Sequence, residues 1–256
     1  MLKLAGPEVD QFNVPQTAAA PAGSIDAPEL SALGRACGLP LGAFREEHLR
    51  KQLGSSLAAT GSGSIAELTE RVRTDSALRE RLRGAIANSV TGPFRDPRQF
   101  EQLSRELLPP LLTRAGMLRV WSAGCSDGSE LFDLAGLLDD AGALERSHLL
   151  GSDLLPENLA KARAAAASKP PGFQGRLRWE QRDLTADGAP TGTWNLILCR
   201  NVAIYMRSPV RDRLHAMLAG ALARDGVLML GRSERIRDPQ ALGLEPAGRQ
   251  AYRRQR

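Results

Sequence analysis

Residues 118–135 read LRVWSAGCSDGSELFDLA, and their order decides the fold. A mostly apolar run, 118–123, leads into Gly124-Cys125-Ser126-Asp127-Gly128, and a helical pattern starts at Ser129. That is a strand, a tight glycine turn and a helix N-terminus. Glycine suits such a turn because it reaches backbone conformations closed to other residues and admits a ligand with no Cβ in the way. Plain loop geometry favours the same residues, so the turn alone leaves ligand binding open.

Working outward, strand and helix patterns alternate. Strands are expected over 118–123, 149–153, 177–183, 195–199 and 227–231, with helices between them over 129–138, 156–167 and 209–223. This alternation predicts a mainly parallel, doubly wound α/β sheet. Residues 244–252, with Pro246 and Gly248, suit a closing antiparallel edge.

Upstream, residues 1–28 are rich in Ala, Pro, Gly and Gln without periodicity and read as a flexible tail. Residues 29–90 are helical and charged, a small all-α domain of three or four helices. Leu30, Leu33 and Ala36 share one face, and Phe44, Leu49 and Leu53 continue it. Ser64 caps a helix with Ile65, Leu68 and Val72 inward, and Asp75-Ser76 opens another carrying Leu78, Leu82 and Ile86. Residues 91–98 form a linker by their Gly and two prolines, and 99–256 make up the sheet domain, entered through a helix bearing Phe100, Leu103, Leu107 and Leu108.

Composition narrows the class. The 256 residues suffice for one large or two small domains, and 42% hydrophobic with 25% charged residues is ordinary for a soluble protein. Aromatics are only 4%, so the core leans on Leu, Ala and Val. A net charge of +5 favours acidic partners or is a simple solubility charge. Three cysteines and three histidines show no disulfide framework and no metal-ligand spacing. No apolar run has the length of a bilayer span, and no secretory signal is evident, so a cytoplasmic chain is expected.

The chemistry should lie at the carboxyl ends of the strands, where the sheet order reverses. Asp153 ends the second strand and can accept hydrogen bonds from the ribose hydroxyls of a nucleoside cofactor, or merely cap the next helix. The turn departs from GxGxxG and carries acidic Asp127 and Glu130. Those acids either complement the helix dipole or repel a pyrophosphate and favour a cationic cofactor, as a sulfonium is.

WSAGCSDGSE, GSDLLPENLAKAR, WNLILCRNVAIY, GVLMLGRSE and the earlier TGPFRDPRQF together resemble the CheR family, S-adenosylmethionine-dependent methyltransferases of chemoreceptor glutamates. The resemblance implies a Rossmann-like fold with a seven-stranded, mainly parallel sheet, preceded by a small helical domain that packs over the cofactor. Carried over by position, it places catalytic roles on Arg95 and Tyr205. Cofactor contacts fall on Thr91, Arg95, Gly124, Glu130, Asp153, the pair Asp183 and Leu184, and Arg200 with Asn201. It implies S-adenosylmethionine as cofactor, S-adenosylhomocysteine as product, and as partner a chemoreceptor-like protein with acidic helical methylation sites. A monomer is expected, without membrane insertion or nucleic-acid binding, since no aromatic-basic patch is present. Many relatives insert a β-subdomain that docks a receptor peptide; here the 15 residues AAAASKPPGFQGRLR are too short for several strands, which points to a tether-independent enzyme. A relative that binds the cofactor or a partner without turnover is the second expectation, and a methyltransferase retargeted to RNA the third.

Overall fold

The computed structural model describes residues 25–87 and 97–255. Its centre is a seven-stranded sheet in the order β3-β2-β1-β4-β5-β7-β6. These strands are β1 Leu118–Ala123, β2 Ser147–Asp153, β3 Leu177–Gln181, β4 Trp194–Cys199, β5 Leu222–Leu230, β6 Leu244–Gly248 and β7 Ala251–Arg254. The first five run parallel, β7 is antiparallel to β5, and β6 is antiparallel to β7. From β1 the chain winds outward through β2 and β3, then returns to place β4 on the other side of β1. The expected mainly parallel sheet with an antiparallel edge is therefore present.

Strand periodicity splits each apolar run between two cores. Leu118 and Val120, Leu196 and Leu198, and Val227 and Met229 enter one cluster, with Leu131, Leu134 and Leu138 of α7 (Ser129–Asp140). Trp121 and Ala123, Ile197 and Cys199, and Leu228 and Leu230 enter the other, with Leu214 and Leu218 of α10 (Ser208–Ala221). Trp121 sits in the interior because its indole N–H donates to Ser152 Oγ at 2.8 Å, so its buried donor is paired.

Among the described residues the N-terminal part holds the helices α1 Ala27–Cys37, α2 Glu46–Thr60, α3 Ile65–Thr74 and α4 Ser76–Ala87. Their ends follow local chemistry. Gly61 closes α2 in the left-handed conformation (φ 66°), and Ser64 caps α3 by accepting the Glu67 N–H. Glu67 returns the contact by accepting the Gly63 N–H, and Asp75 accepts the Leu78 N–H at the start of α4. Leu33, Leu49, Leu53, Leu68, Leu82 and Ile86 form a third core, which Leu155, just past β2, joins. These helices are also stitched to the loop after β4: the Arg45 N–H donates to the Tyr205 carbonyl at 2.8 Å, and the Arg207 N–H to the Ala43 carbonyl at 2.9 Å.

The helix entering the sheet domain is α5 Pro97–Gln102, a π-helical turn Leu103–Leu107 and α6 Leu108–Arg114. Between α8 (Pro156–Ala167) and β3 lies only the short helix α9, Pro171–Gln174. Several expected boundaries differ: β2 starts at Ser147, α7 runs on to Asp140 and β5 spans Leu222–Leu230, and two further ends have a visible cause. The helix expected to reach residue 223 stops at Ala221, because Leu222 is extended and pairs with Trp194 before the register shifts to Leu196–Val227. The strand expected to reach residue 183 ends at Gln181, because Asp183 folds into its own turn, accepting the Thr185 N–H and hydroxyl.

Candidate active site

A cavity opens at the carboxyl ends of β1, β2 and β4, at the point where the strand order reverses. Gly124 and Ser126 from the first turn, Asp153 after β2, and Asp183 and Leu184 after β3 line it. Arg200, Asn201, Val202 and Tyr205 line it from the loop after β4, and Pro40, Ala43, Phe44 and Ala87 bring the helices over it. Of the expected site residues, seven thus converge on one cavity. Thr91 and Arg95 lie outside the described residues.

The first turn is pinned to β2. Gly124 N–H and Cys125 N–H both donate to the Ser152 carbonyl, at 2.8 and 2.9 Å. Gly124 takes φ 81° and has Val202 against it, where a Cβ would lie 2.4 Å from a Val202 methyl carbon. At Gly128 (φ 82°) the space is filled by Trp179, whose ring would lie 2.5 Å from an added Cβ, and the same indole crowds Gly151. The expectation that these glycines clear room for a ligand is thus corrected at Gly128: its missing Cβ accommodates the Trp179 ring. Asp127, one residue before the Gly128 N-cap of α7, accepts the Ser129 N–H and hydroxyl at the start of the helix.

Asp153 is 8% exposed. Its Oδ2 accepts the Ser126 N–H at 2.9 Å, and its Oδ1 accepts the Leu155 N–H at 2.9 Å and the Asn158 amide at 3.1 Å. A carboxylate has about four acceptor positions, so roughly one remains for a ligand hydroxyl rather than the pair expected from sequence. Burial pushes its carboxyl up from the ordinary value; the bonds from Leu155, Ser126 and Asn158 oppose this, and Glu157 adds to it. Asp153 also organises the turns after β1 and β2 through its bonds to Ser126, Leu155 and Asn158.

Glu130 is not on the cavity wall. Its Oε1 accepts from Arg200 Nη1 at 2.6 Å and its Oε2 from Ser122 Oγ at 3.2 Å, with the Glu130 and Arg200 side chains 18% and 6% exposed. Arg200 Nε further donates to Gln99 Oε1 at 3.0 Å, and its guanidinium lies 5.3 Å from the Phe100 ring centre. The acid that favoured a cationic ligand is therefore balanced by Arg200, and the preference for a sulfonium no longer follows from Glu130. Arg200 itself reaches the cavity.

Tyr205 ends a short 3-10 turn, Ala203–Tyr205, and its ring lies 4.6 Å from that of His48 on α2. His48 Nε2 donates to the Ile86 carbonyl at 2.7 Å near the end of α4. Burial, with Asp153 and Glu130 nearby, pushes the Cys125 thiol well above the ordinary value. Sequence reading missed Glu234, which is 3% exposed and holds the loop after β4; the acid after the apolar run of GVLMLGRSE was its only trace.

A switch-point cavity with an acid at the end of β2 and a cation after β4 is where doubly wound sheets take their ligands. Residues 89–169 and 173–248 match the family model "CheR methyltransferase, SAM binding domain". The chain belongs to this CheR methyltransferase family, whose cofactor is S-adenosylmethionine. It is 30% identical over 240 residues to chemotaxis protein methyltransferase 1 of Pseudomonas aeruginosa, covering 80% of this chain and 87% of that one. It is 28% identical over 235 residues to a chemotaxis protein methyltransferase of Listeria monocytogenes, covering 82% and 89%. Among solved structures, a TehB-like SAM-dependent methyltransferase from Corynebacterium glutamicum aligns with a TM-score of 0.40 and 18% identity, over 61% of this chain and 92% of that one. The residues present suit the cofactor: an apolar wall at Leu184 and Val202, an acceptor at Asp153, and the cationic Arg200. Among the described residues no helix is long and apolar enough to cross a membrane.

Proposed function

We propose that the chain is a protein-glutamate O-methyltransferase that forms methyl esters on acidic helices of a chemoreceptor-like protein, acting without a peptide tether. The observation that carries it is the convergence of Arg200, Asn201, Val202 and Tyr205 with Asp153 on one cavity, in a chain of the CheR family. The names of its relatives support the chemotaxis role. The lone short helix between α8 and β3 supports tether independence.

When bound, the cofactor supplies an electrophilic methyl group on a sulfonium. Asp153 would accept a ribose hydroxyl, Asp183 and Leu184 would hold the adenine side, and Arg200 with Asn201 would stand beside the methyl donor. Glu130 holds Arg200 in place. The acceptor glutamate is ionised at neutral pH, so no general base is needed, and the enzyme contributes orientation and electrostatics. By resemblance to the family, Arg95 would hold one acceptor oxygen and Thr91 would contribute to the cofactor, while Tyr205 would help fix the acceptor.

Radiolabelled methyl transfer into co-expressed receptor fragments, released by base, tests this. Wild type should label the fragments, and Arg95→Ala should lose labelling while still binding S-adenosylhomocysteine in calorimetry. Normal turnover by Arg95→Ala would remove its role. Binding without labelling would favour a regulatory relative, and no heat with either ligand would refute the enzyme.

A further inference from the structure

Glu234 lies four residues beyond the end of β5, yet its carboxylate serves the loop after β4. Oε2 accepts the N–H groups of Asn201 and Gly231, each at 2.7 Å, and Oε1 accepts the Ala203 N–H at 2.7 Å. Past the end of β4 the Asn201 and Ala203 N–H groups have no strand partner, and burial at Ala203 would leave that donor without water. The loop also shows the marks of being held. Asn201 takes φ 61°, uncommon for a residue with a side chain. At Gly231 a Cβ would lie 2.6 Å from Glu234 Oε2 and 2.7 Å from the Asn201 nitrogen, so the two backbones nearly touch.

The anchor is itself fixed. The Ile236 N–H donates to Tyr252 Oη at 3.2 Å, tying the segment after Glu234 to β7. Gln99 Nε2 donates to the Leu230 carbonyl at 3.0 Å while its Oε1 accepts from Arg200, so the end of β5 and the Arg200 side chain share one clamp.

We propose that Glu234 is a positioning residue for methyl transfer: it fixes the loop 200–205 so that Arg200, Asn201 and Val202 line the cofactor cavity and Tyr205 stands at its mouth. This rests on the function proposed above for that cavity. The chemistry requires a carboxylate. Three convergent N–H donors need an acceptor-only group, and glutamine would offer one oxygen and turn an NH₂ against at least one of them.

The test is Glu234→Gln in the full chain, read by amide hydrogen exchange and by calorimetry with S-adenosylhomocysteine. Exchange at Asn201 and Ala203 should rise on the order of 10- to 100-fold, the loss of a bond to a charged acceptor, while Trp121 and Leu150 in the sheet stay unchanged. Affinity for S-adenosylhomocysteine should fall about 10-fold or more on the same basis. Where the glutamine variant does not fold, Glu234→Asp, which withdraws the carboxylate by one methylene, should show the same local pattern. Unchanged exchange at Asn201 and Ala203, or a uniform rise across the sheet, would overturn the proposal. Local exchange without loss of affinity would overturn the positioning role. Absence of binding by the wild-type chain would instead refute the function proposed for the cavity, and the exchange arm would still decide whether Glu234 holds the loop.

Discussion

The Glu130–Arg200 pair offers the sharpest test of how the cavity is built. The two groups meet at 2.6 Å with side chains 18% and 6% exposed, at the base of the cavity that Arg200 lines. Removing one partner of a buried pair costs about 3–5 kcal/mol, because the other charge is left uncompensated. Glu130 keeps some solvent, and Glu130→Gln retains an oxygen that can accept from Arg200, so the expected loss is about 2 kcal/mol, toward the cost of a weakened charge-assisted bond. For a chain of this size that lowers Tm by about 4–8 °C. Arg200→Met should cost as much or more, since Glu130 would keep only the 3.2 Å contact from Ser122. The double variant should recover part of the sum, a coupling of about 1–3 kcal/mol for groups in direct contact. Denaturant unfolding of the four proteins measures this directly. Effects that add within about 0.5 kcal/mol would show that the charges are not coupled and that Glu130 does not hold Arg200. Calorimetry separates the two roles: S-adenosylhomocysteine should bind far more weakly to Arg200→Met than to Glu130→Gln, and equal affinities would refute the placement of Arg200 against the cofactor.

Two further outcomes follow from the structure. Gly124→Ala would force φ 81° on a residue with a side chain and set its Cβ 2.4 Å from the stiff Val202; a loss of at least about 2 kcal/mol is expected in denaturant unfolding, with S-adenosylhomocysteine affinity down about 10-fold or more, and wild-type behaviour would refute this packing. His215 on α10 is 1% exposed, its Nε2 has no hydrogen-bond partner among the described residues, and burial, then Arg211, push its imidazole down to about 4 against the pull of Asp212. Because the unfolded chain binds the proton more readily, its contribution is complete above about pH 6.5 and is lost as pH falls toward 4, roughly 3 kcal/mol in all. Tm measured against pH should show that loss in wild type and a flatter profile in His215→Leu; identical profiles would refute the assignment.

How much of this was legible in the sequence depended on where the deciding forces lie. The bounds of β1 and α8 were readable because an apolar run or a proline start ends each one locally. The junction of α10 and β5 was not, since Leu222 is made extended by pairing with Trp194 across the sheet and no Gly or Pro marks it. In the site, Asp153, Arg200, Asn201 and Tyr205 sit where the strand ends put them, so motif and topology agreed. The pairing of Glu130 with Arg200 was not readable because the two lie 70 residues apart. Gly128 was read as clearing a ligand when Trp179, a residue of another strand, needs the space. Glu234 escaped notice because a single acid has no period, and its three donors lie on backbone, which carries no residue signature.

The same reasoning bears on why the helices before the sheet belong to the site. Tyr205 is held from the sheet side through Ala203 and Glu234, and from the helix side through its own carbonyl, which takes the Arg45 N–H. The Arg207 N–H returns a bond to Ala43, and His48 sets its ring against Tyr205 while donating to Ile86. All but the ring contact end on backbone atoms. A loop with one residue at φ 61° and two N–H groups on a distant acid, one buried and one part-buried, has little reason to keep that shape if one flank is released. Ile86 also lies just before residues 88–96, which contain Thr91 and Arg95, so His48 links the loop that bears Tyr205 to the chain leading into that segment. His48 thus ties the Tyr205 ring to the end of α4, so α2 and α4 help hold the loop after β4 from the side away from the sheet.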